Sequence, residues 1–322
     1  MPDSPYTDLD RPPLLARPLR RALLVEGGLW TELDLRAETD STNADALAAA
    51  RAGAAEGLVV VAERQRAGRG RMGRAWVSPA RAGLAVSVLL RPAAPVPARD
   101  WPAVPAARWG WLPLLAGVAL VEAVRARCGV DAVLKWPNDL LVRLDGRARD
   151  DGVGTGPAGD DRAGDRVGDD AGRQRYGKCG GILAEAAPGS GPSAVVVGIG
   201  LNVSLRTDEL PDTGGGPPAT SLRLAGARDA DRDPLLRALL RALADWYARW
   251  RRAGGEAEAS GLRPAYEHAC GTIGRPVLVL LPEGERLSGT ATGVDPDGRL
   301  VVRPEDDSAA RAVAAGDVRH LR

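Results

Sequence analysis

Short apolar segments recur along the chain, each bounded by glycine, proline or charged residues: Leu58–Glu63, Leu84–Leu90, Ala132–Trp136, Leu140–Leu144, Gly181–Ala186 and Ala194–Gly198. Segments of about four to eight residues with this punctuation read as strands. The constraint tightens at Pro137-Asn138-Asp139, which alone separates two of them. A turn that short leaves no room for a crossover helix, so the two strands pair antiparallel. Helices are fewer. Asn43–Arg51 is alanine-rich, with Asp40, Ser41 and Thr42 as candidate N-caps and Gly53 to close it. Leu112–Arg127 is a largely apolar helix. Pro234–Arg252 sets Leu236, Leu239, Leu240, Leu243, Trp246, Tyr247 and Trp250 on one face, behind a cap at Asp233. The pattern predicts an α+β fold, a mixed β-sheet with flanking helices.

Domain limits follow from changes of texture. Residues 1–34 are rich in proline and arginine and too short for a separate DNA-binding domain, so they read as an N-terminal extension. The main domain occupies 35–269. Within it, residues 146–175 are almost entirely Gly, Asp, Arg and Ala. Such a stretch lacks the apolar surface to offset chain entropy and reads as a disordered insertion. Beyond Cys270, Val277–Leu281, Thr290–Val294 and Leu300–Arg303 are short strands, the last two joined by Asp295-Pro296-Asp297-Gly298. They predict a small β-barrel over 270–322.

A formal net charge of +1 argues against a general nucleic-acid surface, which shows as a basic imbalance. Cys128, Cys179 and Cys270 are odd in number and widely spaced, giving neither a disulfide framework nor zinc-ligand spacing. No stretch reads as long and apolar enough for a membrane span. These features predict a cytoplasmic protein with no DNA and no membrane among its partners. The eight tryptophans are expected to fill core positions in a chain without phenylalanine.

Of 43 basic residues only Lys135 and Lys178 are lysines. Lysine is a compact point charge and arginine a planar fork, so the two are not interchangeable. Both fall in unusual strings, Lys135-Trp136-Pro137-Asn138-Asp139 and Gly177-Lys178-Cys179-Gly180-Gly181. Pro-Asn-Asp by itself is ordinary turn chemistry. Lys178 either reaches a ligand laid over the sheet edge or ends a strand in solvent, and the residues alone leave both open. The loop Gly68–Trp76 carries Arg69, Arg71 and Arg74 among glycines, a composition suited to phosphate or carboxylate. Trp76 offers a flat face to a base or a lid. Gly198-Ile199-Gly200-Leu201-Asn202 lacks the third glycine and following helix of a dinucleotide loop. His268 and His320 lie away from these strings in sequence, which points to electrostatic rather than histidine-based catalysis.

Taken in order, Asp40-Ser41-Thr42-Asn43, Gln65, Gly68–Trp76, Lys135–Asp139, Gly177–Glu185 and Gly198–Asn202 resemble the biotin–protein ligases. The resemblance implies a fold like that of class II aminoacyl-tRNA synthetases with a C-terminal SH3-like barrel. It implies two half-reactions: biotin and ATP, with Mg2+, give biotinyl-5′-adenylate and pyrophosphate, then a lysine of a biotin carboxyl carrier domain displaces AMP. By the same resemblance Ser41, Thr42, Asn43 and Gln65 would hold the biotin head group. Arg69, Gly70 and Arg71 would close over the adenylate. Trp76, Asn138 and Asn202 would help place the nucleotide, with Arg71 and Lys178 also on the ATP side. Lys178 would contact the biotin carboxylate and α-phosphate, Asp139 would orient or deprotonate the acceptor lysine, and Lys135 has a less defined place. Met72 stands where an arginine is common. No helix-turn-helix counterpart is read in residues 1–33. A monomer or a weak homodimer is expected. The alternatives are a lipoate–protein ligase of the same fold class and a non-catalytic biotin-binding or regulatory module.

Overall fold

The computed structural model describes residues 11–144, 175–187, 193–213, 216–281, 284–306 and 308–321. The insertion expected at 146–175 lies outside the described residues, apart from Arg175. The helices are α1 (Ala16–Leu23), α2 (Thr42–Arg51), α3 (Trp111–Cys128), α4 (Arg232–Arg252) and α5 (Leu262–Ala269). The strands of the main sheet are β1 (Glu32–Arg36), β2 (Leu58–Ala62), β3 (Gly83–Leu90), β4 (Ala132–Lys135), β5 (Asp139–Arg143), β6 (Tyr176–Ala187) and β7 (Ala194–Asn202). The C-terminal strands are β8 (Pro276–Leu280), β9 (Arg286–Val294), β10 (Leu300–Pro304), β11 (Arg311–Val313) and β12 (Asp317–His320).

The main sheet runs β1-β2-β3-β7-β6-β5-β4. Only β1 and β2 are parallel, because α2 carries the chain back between them; every other neighbour is antiparallel. This is the mixed sheet the sequence predicts, and the short Pro137 turn does join an antiparallel pair. The C-terminal sheet, β11-β10-β9-β8-β12, is antiparallel throughout and adds two strands, β11 and β12, that went unread.

One face of the main sheet is the core. There α3 packs on β4, β5, β6 and β7 and against α4 and α5, which explains why it is apolar on nearly all sides. By length and composition Ala106–Cys128 does qualify to cross a membrane, correcting the sequence reading; two thirds of its apolar window is buried inside the protein, as in a core helix. Trp30, Trp101, Trp111, Trp136, Trp246 and Trp250 are all buried, supplying the large aromatic volume that phenylalanine would. On the opposite face α2 covers β2, β3 and β7 and touches β6, sealing a small second core of Ala46, Leu47, Leu58, Val60, Leu89 and Val196. The rest of that face is floored by glycines and left open.

Two boundaries differ from expectation. Asp231 rather than Asp233 caps α4, its carboxylate accepting the Asp233 N–H at 3.0 Å. The main sheet begins before residue 35, since β1 starts at Glu32, and within residues 11–34 α1 packs on β1 and α4, with Leu14, Leu19 and Leu23 buried. The C-terminal barrel docks through tryptophans. Trp111 Nε1–H donates to Pro296 O at 2.7 Å and the Trp136 N–H donates to Thr272 Oγ1 at 3.1 Å.

Candidate active site

The open face forms a cleft of about 980 Å³. At one end the first turn of α2 meets the chain leaving β2. Ser41 caps the helix, accepting the Ala44 N–H at 3.4 Å. Gln65 Oε1 accepts from both the Thr42 N–H (2.9 Å) and the Thr42 hydroxyl (3.1 Å). Asn43 Nδ2 donates to Glu185 Oε2 at 2.7 Å and to Leu183 O at 3.2 Å. Behind them the fully buried Ser87 hydroxyl lies 2.6 Å from Asn43 Oδ1 and 2.7 Å from Thr42 Oγ1. Its single proton serves the amide oxygen, which has none to give. A buried cluster of neutral donors and acceptors suits a small uncharged group bearing both N–H and C=O.

Above the cleft the Gly68–Trp76 loop folds back on itself. Arg69 bridges Ala75, the Gly70 N–H donates to Arg74 O at 2.7 Å, and Met72 (φ +56°) and Gly73 (φ +72°) make the tip. The Met72 side chain is largely exposed at the rim of the cleft, so the departure from arginine puts a neutral thioether where a charge would stand. The arginines fan out along the cleft. Arg69 stands 3.8 Å from Glu185 at the α2 end, Arg71 donates to Asn138 Oδ1 at 3.4 Å, and Arg74 stands 3.8 Å from Asp317 of the barrel. Trp76 lies against the glycine floor. A Cβ at Gly200 would meet its indole at 2.5 Å, and one at Gly181 would meet it at 3.3 Å. That contact gives the Gly198–Asn202 string a reason unrelated to dinucleotide binding.

Lys178 enters the cleft because β6 is irregular. The strand does not begin after this lysine, as expected, but runs from Tyr176 and pairs Lys178 with Leu141. Register slips between Leu140 and Leu141, leaving Cys179 as the extra residue. Regular alternation from Glu185 through Gly181 would put Cys179 in the cleft. The bulge instead turns Cys179 into the core, fully buried, where burial raises its thiol pKa, and re-aims Lys178 to the open face. There Lys178 Nζ lies 2.7 Å from Asp139 Oδ1, and Lys135 Nζ lies 4.0 Å from Asp139 Oδ2. Lys135 is buried and its pKa is lowered by burial, against the opposing pull of Asp139. Burial likewise lowers that of Arg71. Asn138 is clamped to β6, accepting the Ile182 N–H on its carbonyl at 2.9 Å and donating Nδ2–H to Ile182 O at 3.0 Å. Asn202, at the end of β7, donates Nδ2–H to Thr220 O at 3.0 Å.

Every residue to which the resemblance gives a ligand or catalytic role thus borders this one cleft. Two more bear on it that the sequence reading missed, Ser87 from behind its wall and His320 on its lining. Ser87 had a signal, a lone hydroxyl in an otherwise apolar or small-residue strand. His320 had none: it was read as distant, yet β12 brings it to the cleft beside Lys135. Its Nε2 lies 3.0 Å from Thr272 Oγ1, and burial, then the charges of Lys135 and Arg275, push its pKa down to about 4. His268 does not border the cleft.

Residues 37–202 match the biotin/lipoate A/B protein ligase family, and residues 272–321 match the biotin protein ligase C-terminal domain. The chain is 38% identical to the biotin–[acetyl-CoA-carboxylase] ligase of Mycobacterium tuberculosis, over 98% of this chain and all of that one. The chain belongs to the biotin/lipoate A/B protein ligase family. A second ligase of that name, from Paracoccus denitrificans, is 32% identical over 83% of this chain and 92% of its own length. Within the ligase family the fold is shared with the biotin protein ligase from Aquifex aeolicus solved in complex with biotin and ATP. That structure aligns with a TM-score of 0.64, covering 91% of this chain and all of that one at 22% identity, a likeness of fold alone.

Proposed function

We propose that this chain attaches biotin to a lysine of a biotin carboxyl carrier domain through biotinyl-5′-adenylate, acting in the cytoplasm as a monomer or a weak homodimer. The observation that carries the reading is the convergence in one cleft of the neutral cluster at α2 and the Lys178–Asp139 pair. Thr42, Asn43 and Gln65, with Ser41 capping the helix that presents them, offer donors and acceptors to the ureido ring of biotin. The biotin carboxylate then points toward Lys178. A carboxylate oxygen attacks the α-phosphorus of ATP, the bond to the β-phosphate oxygen breaks, and pyrophosphate leaves. The ammonium of Lys178 neutralises charge building on the α-phosphoryl oxygens, and Arg69, Gly70 and Arg71 fold over the anhydride to exclude water. Trp76, Asn138 and Asn202 border the space for the nucleoside.

In the second half-reaction the acceptor amine attacks the biotinyl carbonyl, the anhydride C–O bond breaks and AMP leaves. Asp139 orients that amine and takes its proton once the phosphate has drawn Lys178 away. Among the described residues no three His, Cys, Asp or Glu side chains cluster as a metal site. Asp139 and Asp317 do border the cleft, which fits Mg2+ carried in on the ATP phosphates and met by one or two carboxylates. The test is intact-mass analysis of a carrier domain incubated with the protein, biotin, ATP and Mg2+. One added biotinyl group is expected with the wild type and none with Lys178→Ala. No addition by the wild type to a competent acceptor overturns the reading.

A further inference from the structure

We propose that Arg11, ahead of the first helix, is a positioning residue for the nucleotide side of the cleft. The inference rests on reading that side as the ATP site. Arg11 is 5% exposed, and its guanidinium clamps one loop at two points. Nη1–H donates to Glu209 Oε1 at 3.0 Å, and Nη2–H reaches Glu209 Oε2 at 2.5 Å and Ser204 O at 2.9 Å. The paired, charge-assisted geometry holds the carboxylate in orientation as well as in place, and Arg11 lowers the Glu209 pKa.

The clamped loop, described over residues 203–213 and 216–221, leaves β7 directly after Asn202 and returns alongside Lys178. On its return Pro218 O accepts the Lys178 N–H at 2.7 Å, and the Thr220 N–H donates to Lys178 O at 2.9 Å. Between clamp and return, Pro211, Asp212, Thr213 and Pro217 border the cleft. Fixing the outgoing limb at Ser204 and Glu209 therefore fixes one wall of the cleft and the backbone partner of the lysine that faces it. The segment bearing Arg11 has separate moorings, with Arg232 Nη2–H donating to Pro12 O at 2.6 Å and the Leu14 N–H donating to Glu63 Oε1 at 2.6 Å. Deleting the guanidinium thus releases Glu209 and the limb beyond Ser204, whose own N–H stays bonded to Ala82 O at 2.8 Å, while the segment bearing Arg11 stays attached.

The experiment compares wild type, Arg11→Met, Arg11→Lys and Glu209→Gln by amide hydrogen exchange and by steady-state kinetics with a carrier domain. Arg11→Met is expected to speed exchange across 205–219 and to raise KM for ATP about tenfold, with kcat and biotin affinity within about twofold. Arg11→Lys recovers part of both, and Glu209→Gln moves both in the same direction by less. Unchanged exchange and unchanged KM for ATP with only a lower unfolding midpoint would overturn the proposal, as would an equal loss of biotin affinity. A wild type that fails to modify the carrier domain defeats the functional reading instead, and the exchange data still report on the clamp.

Discussion

Gly198 lies mid-strand in β7, where a Cβ would fall 2.0 Å from Asn43 Oδ1, 2.8 Å from Cγ and 3.1 Å from Nδ2. Gly198→Ala therefore cannot be absorbed by a small rotation of the amide, since all its heavy atoms are in the way. Asn43 has to leave, and with it go the contacts to Ser87, Glu185 and Leu183 O. At about 1 kcal/mol net per hydrogen bond, with about 1 to 3 kcal/mol more for buried groups left unpaired, the loss is about 4 kcal/mol. Alanine in place of a strand glycine returns about 0.5 to 1 kcal/mol, leaving about 3 kcal/mol of destabilisation. In an Asn43→Ala background the obstruction is gone, so the same glycine change is neutral or slightly stabilising there. Urea unfolding of the four proteins of this cycle measures a coupling of about 3 to 4 kcal/mol, and calorimetry reports biotin affinity reduced at least about a hundredfold in Gly198→Ala. An unfolding midpoint equal to wild type, or a cost for Gly198→Ala that persists without Asn43, refutes the reasoning.

Gly200→Ala displaces Trp76 rather than a buried group. It raises KM for ATP while leaving the unfolding midpoint near that of the wild type, because the indole is only half-buried and lies outside the core. Arg71→Ala opens the loop over the adenylate, and thin-layer separation of radiolabelled product detects biotinyl-adenylate free in solution, with labelling of bystander proteins. His320 makes the fold sensitive to acid. An unfolded histidine binds its proton near pH 6.5 and this one near 4, so between those values the unfolded state holds more protons. Stability is complete above about pH 6.5 and falls toward pH 4. The loss is about 2 kcal/mol after allowance for solvent screening, and His320→Gln flattens it in urea titrations at pH 7.5 and 4.5.

What was legible in the sequence was whatever local chemistry determines. Ser41 sits ahead of an alanine-rich run and caps it; Pro137-Asn138-Asp139 can only turn; Pro234–Arg252 carries its buried stripe in plain helical spacing. The site residues were legible as strings because each string has one job imposed on consecutive residues, such as the glycines that admit Trp76 and Asn43. Lys178 reads as a residue just ahead of a strand, either reaching a ligand or ending the strand in solvent, and nothing in Gly177-Lys178-Cys179 announces a bulge. The bulge is enforced from outside, by a core that accepts the Cys179 thiol and a loop from Pro218 to Thr220 that pairs with the lysine backbone. Arg11 and His320 belong to the same class. Each is nearly 200 residues away from the group that gives it meaning: Glu209 for the first, Lys135 for the second. Their roles arise where the ends of the chain return to a cleft that its middle has built. A buried arginine near one end and a histidine near the other are therefore visible as residues in the sequence, and become parts of the site only once the sheet has closed.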